Sequence, residues 1–180
     1  MRRPREKKAL DPARAADAGA AHTAAITLLA GRDHSAADIS RKLEQRGFSA
    51  EAIAAALSRL TETNTIDDSR YGQNFARYRA RRGQGPARIR NDLRRSGLKD
   101  EQIEEAVKTG EDVPDFIALA SQARRRKFGS DLPKDWKERA KQARFLQYRG
   151  FSTDHIRAVL EGVPDDSDEG ADLSGEPDPN

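Results

Sequence analysis

Three copies of one pattern occur along the chain, and this repetition limits its possible folds more than any other feature. The copies cover residues 42–57, 92–107 and 145–160. In each copy a leucine lies four residues before a glycine, an apolar residue follows that glycine, and an isoleucine lies six residues after it. The glycines are 50 and 53 residues apart. Self-similarity at such a spacing is typical of repeat proteins, in which each unit stacks on its neighbours.

The repeated pattern describes a helix, a tight corner and a second helix. A glycine directly after a helix can adopt the left-handed conformation, which is unfavourable for residues that carry a Cβ. Ser49 and Ser152 can accept hydrogen bonds from the first amides of the next helix, and the acidic residues that follow interact with its positive end. Apolar residues then recur at helical spacing, and no stretch shows the sustained alternation of a strand.

An additional helical segment precedes each corner, so each unit contains three helices. We therefore predict an all-α fold, an elongated and curved array of three tandem three-helix repeats that resemble helix-turn-helix motifs. The predicted repeats cover residues 21–62, 63–110 and 111–162. A basic segment, 1–20, and an acidic segment, 163–180, lie outside the pattern and are predicted to be disordered tails.

Large apolar side chains in these helices are expected to form the cores. Ile26 is predicted to point inward in the first unit. In the second unit Tyr71, Phe75 and Tyr78 share one helical face, which is predicted to be buried. Trp136 is expected in the core of the third unit.

The composition fits thin helical layers that leave much of their surface in water. Only 36% of the residues are apolar, and 35% are charged. The chain has no cysteine, which excludes disulfides and is typical of the reducing cytoplasm. No apolar run is long enough to span a bilayer. We expect a cytoplasmic protein that does not contact a membrane.

The charge is unevenly distributed. Residues 163–180 include seven acids and no base, so residues 1–162 hold 33 bases and 23 acids, a net charge of +10. Eight arginines lie between positions 77 and 95, where Asp92 is the single acid. Because one carboxylate cannot neutralise eight guanidinium groups, we predict that this segment binds a partner.

The candidate partner-binding residues form two groups of cations. The first group is Arg70, Arg77, Arg79, Arg81, Arg82, Arg88, Arg90, Arg94 and Arg95. The second group, near a helix end, is Arg124, Arg125, Arg126 and Lys127. Guanidinium groups bind both carboxylates and phosphates through paired hydrogen bonds, so an acidic protein and a nucleic acid are both compatible partners. For the second group, a favourable interaction with the helix dipole is the alternative explanation.

No pattern in the chain predicts catalysis. Asp67 and Asp68 are paired carboxylates, but they lie where a helix is expected to begin, and aspartate is a preferred N-cap. The histidines, His22, His34 and His155, do not recur at matched positions of the repeats, and we expect them to be solvated or to cap helices. We therefore expect no catalytic residue, no cofactor and no metal.

One segment shows a family resemblance. Residues 65–98 read TIDDSRYGQNFARYRARRGQGPARIRNDLRRSGL, with an Asp-Asp pair, an aromatic-rich helix, and a Gly-Pro before an arginine-containing helix that ends in glycine. This segment resembles the RecX family, as do the RGF corners and the tandem units, and the resemblance spans about residues 24–161. Gly72 departs from the family pattern, in which alanine is usual at this position.

The resemblance implies a regulatory role. RecX-like proteins bind the recombinase RecA along its nucleoprotein filament or at the growing end, and they suppress strand exchange, ATP turnover and co-protease activity. Some also bind single- or double-stranded DNA. For this chain we accordingly expect a non-enzymatic, monomeric regulator of recombination, repair and the SOS response. Two alternatives remain open: a helix-turn-helix protein that binds DNA alone, and a helical-repeat adaptor for another protein.

Overall fold

The computed structural model describes residues 11–108 and 115–161. Within these two ranges the chain is helical and contains no strand, which confirms the all-α prediction. The helices are α1 (Pro12–Ala15), α2 (Ala18–Leu29), α3 (Ala36–Glu44), α4 (Ala50–Glu62), α5 (Asp68–Arg81), α6 (Pro86–Arg95), α7 (Asp100–Lys108), α8 (Phe116–Phe128), α9 (Trp136–Tyr148) and α10 (Thr153–Glu161).

Three tandem units of three helices, α2–α4, α5–α7 and α8–α10, make up the fold, as the repeats predict. Each unit has its own core of apolar side chains. The large side chains that are most buried are Ile39, Leu43 and Leu60 in the first unit, Ile89, Leu93 and Ile103 in the second, and Leu146 and Phe151 in the third. Phe116 and Leu119 contact the cores of both the second and third units, so α8 joins those two units.

The corner glycines adopt the left-handed conformation that the repeat pattern predicts. The φ angle is +91° at Gly47, +82° at Gly97 and +88° at Gly150. The apolar residue after each glycine donates its amide to a carbonyl in the last turn of the preceding helix, at 3.2 to 3.3 Å. Two corners also contact a neighbouring unit, because Gly97 lies against Ala37 and Gly150 against Arg88.

Helical structure begins earlier than the sequence pattern indicates. Helix α1 and the first turn of α2 lie within the segment predicted to be a disordered N-terminal tail. Asp11 and Asp17 cap the two helices by accepting backbone hydrogen bonds at 2.8 to 3.1 Å. The Ser49 amide also donates to the Ala15 carbonyl at 2.8 Å. The prediction of disorder is therefore wrong from α1 onward, whereas the first ten residues and the acidic C-terminal segment lie outside the described residues.

Three large side chains that were expected in the cores are exposed. Ile26 is 40% exposed, Tyr78 55% and Trp136 73%. Helix α5 buries Ala76 and Ala80, and Tyr78 lies two residues from each, about 200° around the helix. Ile26 is likewise one residue past the buried face of α2, and Trp136 precedes the buried positions of α9. The predictions for Ile26 and Tyr78 failed because the fully buried positions of α2 and α5 are occupied by alanine and glycine.

Gly72 shows why α5 buries small residues. A Cβ at this position would lie 3.0 Å from Leu98 Cδ2 and 3.2 Å from Ala106 Cβ. Helix α5 therefore approaches α7 more closely than an alanine at position 72 would allow without a shift of its neighbours. The departure from the family pattern accordingly has a packing role, beyond the lower helix propensity of glycine.

Candidate partner-binding surface

The second and third units meet where the corner after α9 contacts the start of α6. The Gly85 amide donates to the Arg149 carbonyl at 2.8 Å, and the Ala87 amide donates to the Gly150 carbonyl at 3.0 Å. The first amides of α6, which have no acceptor within their own helix, are thereby satisfied by the neighbouring unit. The Arg149 guanidinium also donates to the Gly83 carbonyl at 3.2 Å, so the end of α5 belongs to the same junction.

This junction brings together exposed cations and an exposed tyrosine. Arg88 and Arg95 line a shallow pocket of about 340 Å³ together with Tyr148, which is 81% exposed. The Arg88 guanidinium lies over the Tyr148 ring, 5.7 Å from its centroid. Arg149 Nη1 lies 3.4 Å from the carbonyl of Arg82, an exposed residue after α5. Arg82, Arg88, Arg95, Tyr148 and Arg149 together are called the junction surface below.

Three candidate arginines are instead neutralised within the second unit. The ion pairs are Arg79 with Asp92 at 3.2 Å, Arg90 with Glu104 at 2.7 Å, and Arg94 with Asp100 at 2.9 Å. Two of these acids follow the arginine-rich segment in the chain and reach it only because α7 and the corner before it lie against α6. The premise that Asp92 is the single acid available to the eight arginines is therefore wrong, because Asp100 and Glu104 pair with two of them.

The ion pairing lowers the pKa of Glu104. Hydrogen bonds from Arg90 and then Lys108 lower the pKa of its carboxyl from 4.5 to about 2. A carboxyl with a lowered pKa stabilises the fold above its unfolded pKa, and this contribution disappears as the pH falls through the folded pKa. We expect Glu104→Gln to reduce the free energy of unfolding by about 1 kcal/mol at pH 7, because the pair is partly exposed. In urea denaturation, the difference in free energy of unfolding between the unmodified chain and the variant should become smaller between pH 4.5 and 2. A difference that is independent of pH would contradict the stabilising role of the Glu104 carboxylate.

The remaining first-group arginines lie on α5 and are held in different ways. Arg70 is exposed and donates to the Asn64 carbonyl at 3.4 Å. Arg77 donates to the Asn74 side chain at 2.7 Å. Arg81 is exposed and forms no ion pair or hydrogen bond with any residue in the described ranges. These arginines do not line the pocket of the junction surface.

The second candidate group divides into one buried and three exposed residues. Arg124 is 2% exposed, and its guanidinium donates to the carbonyls of Ser130 and Asp131 at 2.8 and 2.7 Å. Arg124 therefore stabilises the connection between α8 and α9. Its prediction as a partner-binding residue is wrong, because the side chain is buried and hydrogen-bonded within the chain. Arg125, Arg126 and Lys127 are exposed in the last turn of α8, where the helix dipole favours cations.

The paired carboxylates at the start of α5 have structural roles. Asp67 accepts the Arg70 amide at 2.9 Å as the predicted N-cap. Asp68 accepts the Ala36 amide at 2.9 Å and thereby links the first and second units. In the part of the chain that the structure describes, no three His, Cys, Asp or Glu side chains are placed to hold a metal ion. No helix there is long and apolar enough to cross a membrane.

Tyr148 and Arg149 of the junction surface were not identified from the sequence. Arg149 is the first residue of an RGF corner, and Arg46 occupies the same place in the first unit. Arg46 also donates to a carbonyl of another helix, that of Ala24 at 3.4 Å. An arginine before a corner glycine was therefore an available signal, whereas nothing in the sequence distinguished Tyr148 from a core residue.

The fold and this surface define a class of protein. Tandem three-helix units with separate small cores present a long outer surface, and such repeat proteins act by binding other macromolecules. The exposed charges at the junction of the second and third units are cationic. The chain is therefore a helical-repeat protein with a basic surface between two of its units.

Comparison with known proteins identifies the family. Models of the first, second and third three-helix domains of RecX match residues 21–60, 67–107 and 115–160. The regulatory protein RecX of Pseudomonas fluorescens (strain SBW25) is 47% identical over 138 residues, which cover 77% of this chain and 88% of the relative. The regulatory protein RecX of Halorhodospira halophila is 38% identical, with 86% of this chain and 97% of the relative covered. This chain belongs to the RecX family of regulatory proteins.

Solved structures share the fold. A crystal structure of a regulatory protein RecX has a TM-score of 0.68 and 22% identity, covering 86% of this chain and 79% of that one. RecX from Lactobacillus salivarius also has a TM-score of 0.68, with 18% identity and coverage of 81% and 95%. At these identities the likeness concerns the fold alone.

Proposed function

We propose that this chain binds RecA or its nucleoprotein filament and inhibits recombinase, ATPase and co-protease activity, thereby modulating recombination and repair. Membership of the RecX family supports this role. The junction surface is the structural feature that supports a direct contact with RecA or its filament. Arg82, Arg88 and Arg95 are exposed, and none of the three has an ion-pair partner among the described residues. Exposed guanidinium groups of this kind suit carboxylates of an acidic protein surface or phosphates of the filament DNA.

The mechanism would be a shift of equilibrium rather than a chemical reaction. A protein that binds one state of a filament more tightly than another favours the first state by the difference in binding free energy. If this chain prefers filament that is capped or dissociating, net assembly falls although no covalent bond changes. Positive charge at the junction surface would also accelerate the encounter with a negatively charged partner.

Direct contact with DNA is a second candidate, favoured by one observation. Tyr148 is 81% exposed, and the Arg88 guanidinium lies over its ring at 5.7 Å from the centroid. Exposed aromatic rings beside arginines can stack with unpaired bases and bind the neighbouring phosphates. DNA binding of this kind is compatible with simultaneous binding to RecA. It is also compatible with a protein that binds DNA alone.

Binding measurements on filaments and on naked DNA distinguish these possibilities. The affinity of the full chain is measured for RecA–single-strand filaments, for the same single strand and for duplex, at several salt concentrations. We expect tighter binding to the filament than to either DNA at physiological salt. Equal affinity for naked DNA, with the same steep salt dependence, would support the stand-alone DNA-binding protein instead. If the chain binds neither the filament nor either form of DNA, the result would support an adaptor for another protein.

A further inference from the structure

A groove of about 660 Å³ lies between the first and second units. One wall is formed by Tyr71, Phe75 and Tyr78 along α5. The other wall includes Arg32 and His34, in the connection between α2 and α3. The groove shares no lining residue with the pocket of the junction surface.

The aromatic wall is only partly used by the core. Tyr71 and Phe75, whose ring centroids are 5.9 Å apart, are half-buried against the second core. Tyr78 is 55% exposed, and the Arg79 guanidinium lies 4.9 Å from the centroid of the Phe75 ring. Aromatic surface that stays exposed to solvent beside polar groups is typical of a binding site, because aromatic side chains that serve only the core are buried.

The two walls are fixed relative to each other by bonds between the units. The hydroxyl of Ser35, which is fully buried, donates to the Ser96 carbonyl, and the Asp68 carboxylate accepts the Ala36 amide at 2.9 Å. Within the second unit, the Tyr71 hydroxyl lies 3.3 Å from the Ser96 hydroxyl, which connects the aromatic wall to the residue that Ser35 contacts. The groove is therefore formed before a ligand arrives, which reduces the loss of conformational entropy on binding.

The charges that line the groove cancel. Arg32 and Arg79 are cations, and Asp33 and Asp38 are anions. His34, which we expected at the surface, is 6% exposed, and burial lowers the pKa of its imidazole, so it is neutral near pH 7. A chain of phosphates would meet two carboxylates here, whereas the pocket of the junction surface is lined by one carboxylate, Asp92, which is already paired with Arg79. The groove therefore suits a polypeptide with apolar side chains better than a nucleic acid.

We propose that this groove binds a short segment of the protein partner, with an aromatic or branched apolar anchor against Phe75 and Tyr78 and an acidic residue that reaches Arg32. Arg32 is exposed, and its hydrogen bond at 3.4 Å is to the uncharged ring of His34, which leaves its charge for a ligand. The inference rests on the proposed function, because the segment belongs to the same protein partner.

The groove and the junction surface are continuous. Tyr78 forms the rim of the groove, and the guanidinium of Arg82, a junction residue, lies 5.4 Å from the centroid of its ring. The combined surface presents exposed aromatic rings beside arginines, and both residue types are enriched at protein–protein interfaces. Anchoring aromatic residues at the centre usually contribute most of the affinity.

Affinity for preformed RecA–single-strand filaments tests the groove. We expect Tyr78→Ala to weaken binding about tenfold or more and to leave the salt dependence unchanged, because an apolar contact is lost rather than a charge. Tyr78→Phe keeps the ring, loses only the hydroxyl that accepts a hydrogen bond from Arg82, and should bind within about twofold of the unmodified chain. Asn74→Trp, at an exposed position of the lining, should fill the groove and weaken binding similarly.

The control is Trp136→Ala, which removes a still more exposed aromatic ring, outside the groove, from the third unit and should leave filament binding unchanged. Normal binding by both Tyr78→Ala and Asn74→Trp would overturn the proposal. An equal loss of affinity for naked single strands would also overturn it, because the occupant would then be nucleic acid. If the unmodified chain does not bind filaments, the proposed function itself fails, so the two failures are distinguishable.

Discussion

Gly85→Ala is expected to break the contact between the start of α6 and the corner after α9 and to lower the free energy of unfolding by about 3 kcal/mol. The φ angle of −82° at this residue suits any amino acid, so the substitution introduces no backbone strain. An added Cβ would lie 2.3 Å from the carbonyl group of Gly150 and from the Phe151 nitrogen. Those atoms are backbone, and they can move away only if the hydrogen bonds that join the two units break.

Urea denaturation followed by circular dichroism measures this loss, and hydrogen exchange locates it. Amides of α8–α10 should exchange faster in the variant, whereas those of α2–α4 should not. Gly129→Ala is the matched control, because φ there is +91° and nothing lies within 4 Å of the added Cβ. With ψ at −177° this residue lies in a region that is almost exclusive to glycine, so the variant should show backbone strain alone, about 1 to 3 kcal/mol, without faster exchange confined to α8–α10. A Gly85 variant as stable as the unmodified chain would show that the units do not meet as described.

The second large effect is expected at the junction surface. Changing Arg82, Arg88 and Arg95 together to alanine should weaken binding to the RecA filament about 100-fold. Each side chain can supply a charge-assisted hydrogen bond worth about 1 kcal/mol, and about 1.4 kcal/mol corresponds to a tenfold change in affinity. The salt dependence of binding should also become shallower, because fewer charges take part. Helicity and melting temperature should hardly change, since all three side chains are exposed.

The control for this variant removes the same charge elsewhere. Arg14, Arg59 and Arg157 are exposed arginines of α1, α4 and α10, outside the junction surface. Their combined change to alanine should reduce affinity only slightly, through the loss of long-range attraction. Equal losses in the two triple variants would mean that net charge alone matters. Loss of melting temperature together with affinity would mean that the junction arginines are structural.

The local features of the sequence predicted the fold well, because each repeated residue has a local role. A glycine after a helix, a serine cap and an apolar stripe act within a few residues of one another. The corner conformations at Gly47, Gly97 and Gly150 could therefore be predicted without any tertiary information. The tandem arrangement followed from finding the same corner three times.

Tertiary contacts were what the sequence could not supply. Glu104 and Asp100 neutralise arginines only after α7 and its preceding corner lie against α6, and Arg124 is buried only because a later connection folds over it. The buried face of α5 was predicted from the positions of its largest side chains. In the structure, Gly72 and its small neighbours form the buried face and determine how closely α5 approaches α7. The aromatic residues were consequently placed in the core, and the groove beside them was missed.

RecA's DNA-dependent ATP turnover, titrated with the unmodified chain at constant salt, tests the regulatory role most directly. The account predicts that turnover falls when the chain is present at a small fraction of the RecA concentration, because each chain shifts the state of a whole filament. Turnover that stays constant up to equal concentrations of the two proteins would contradict it.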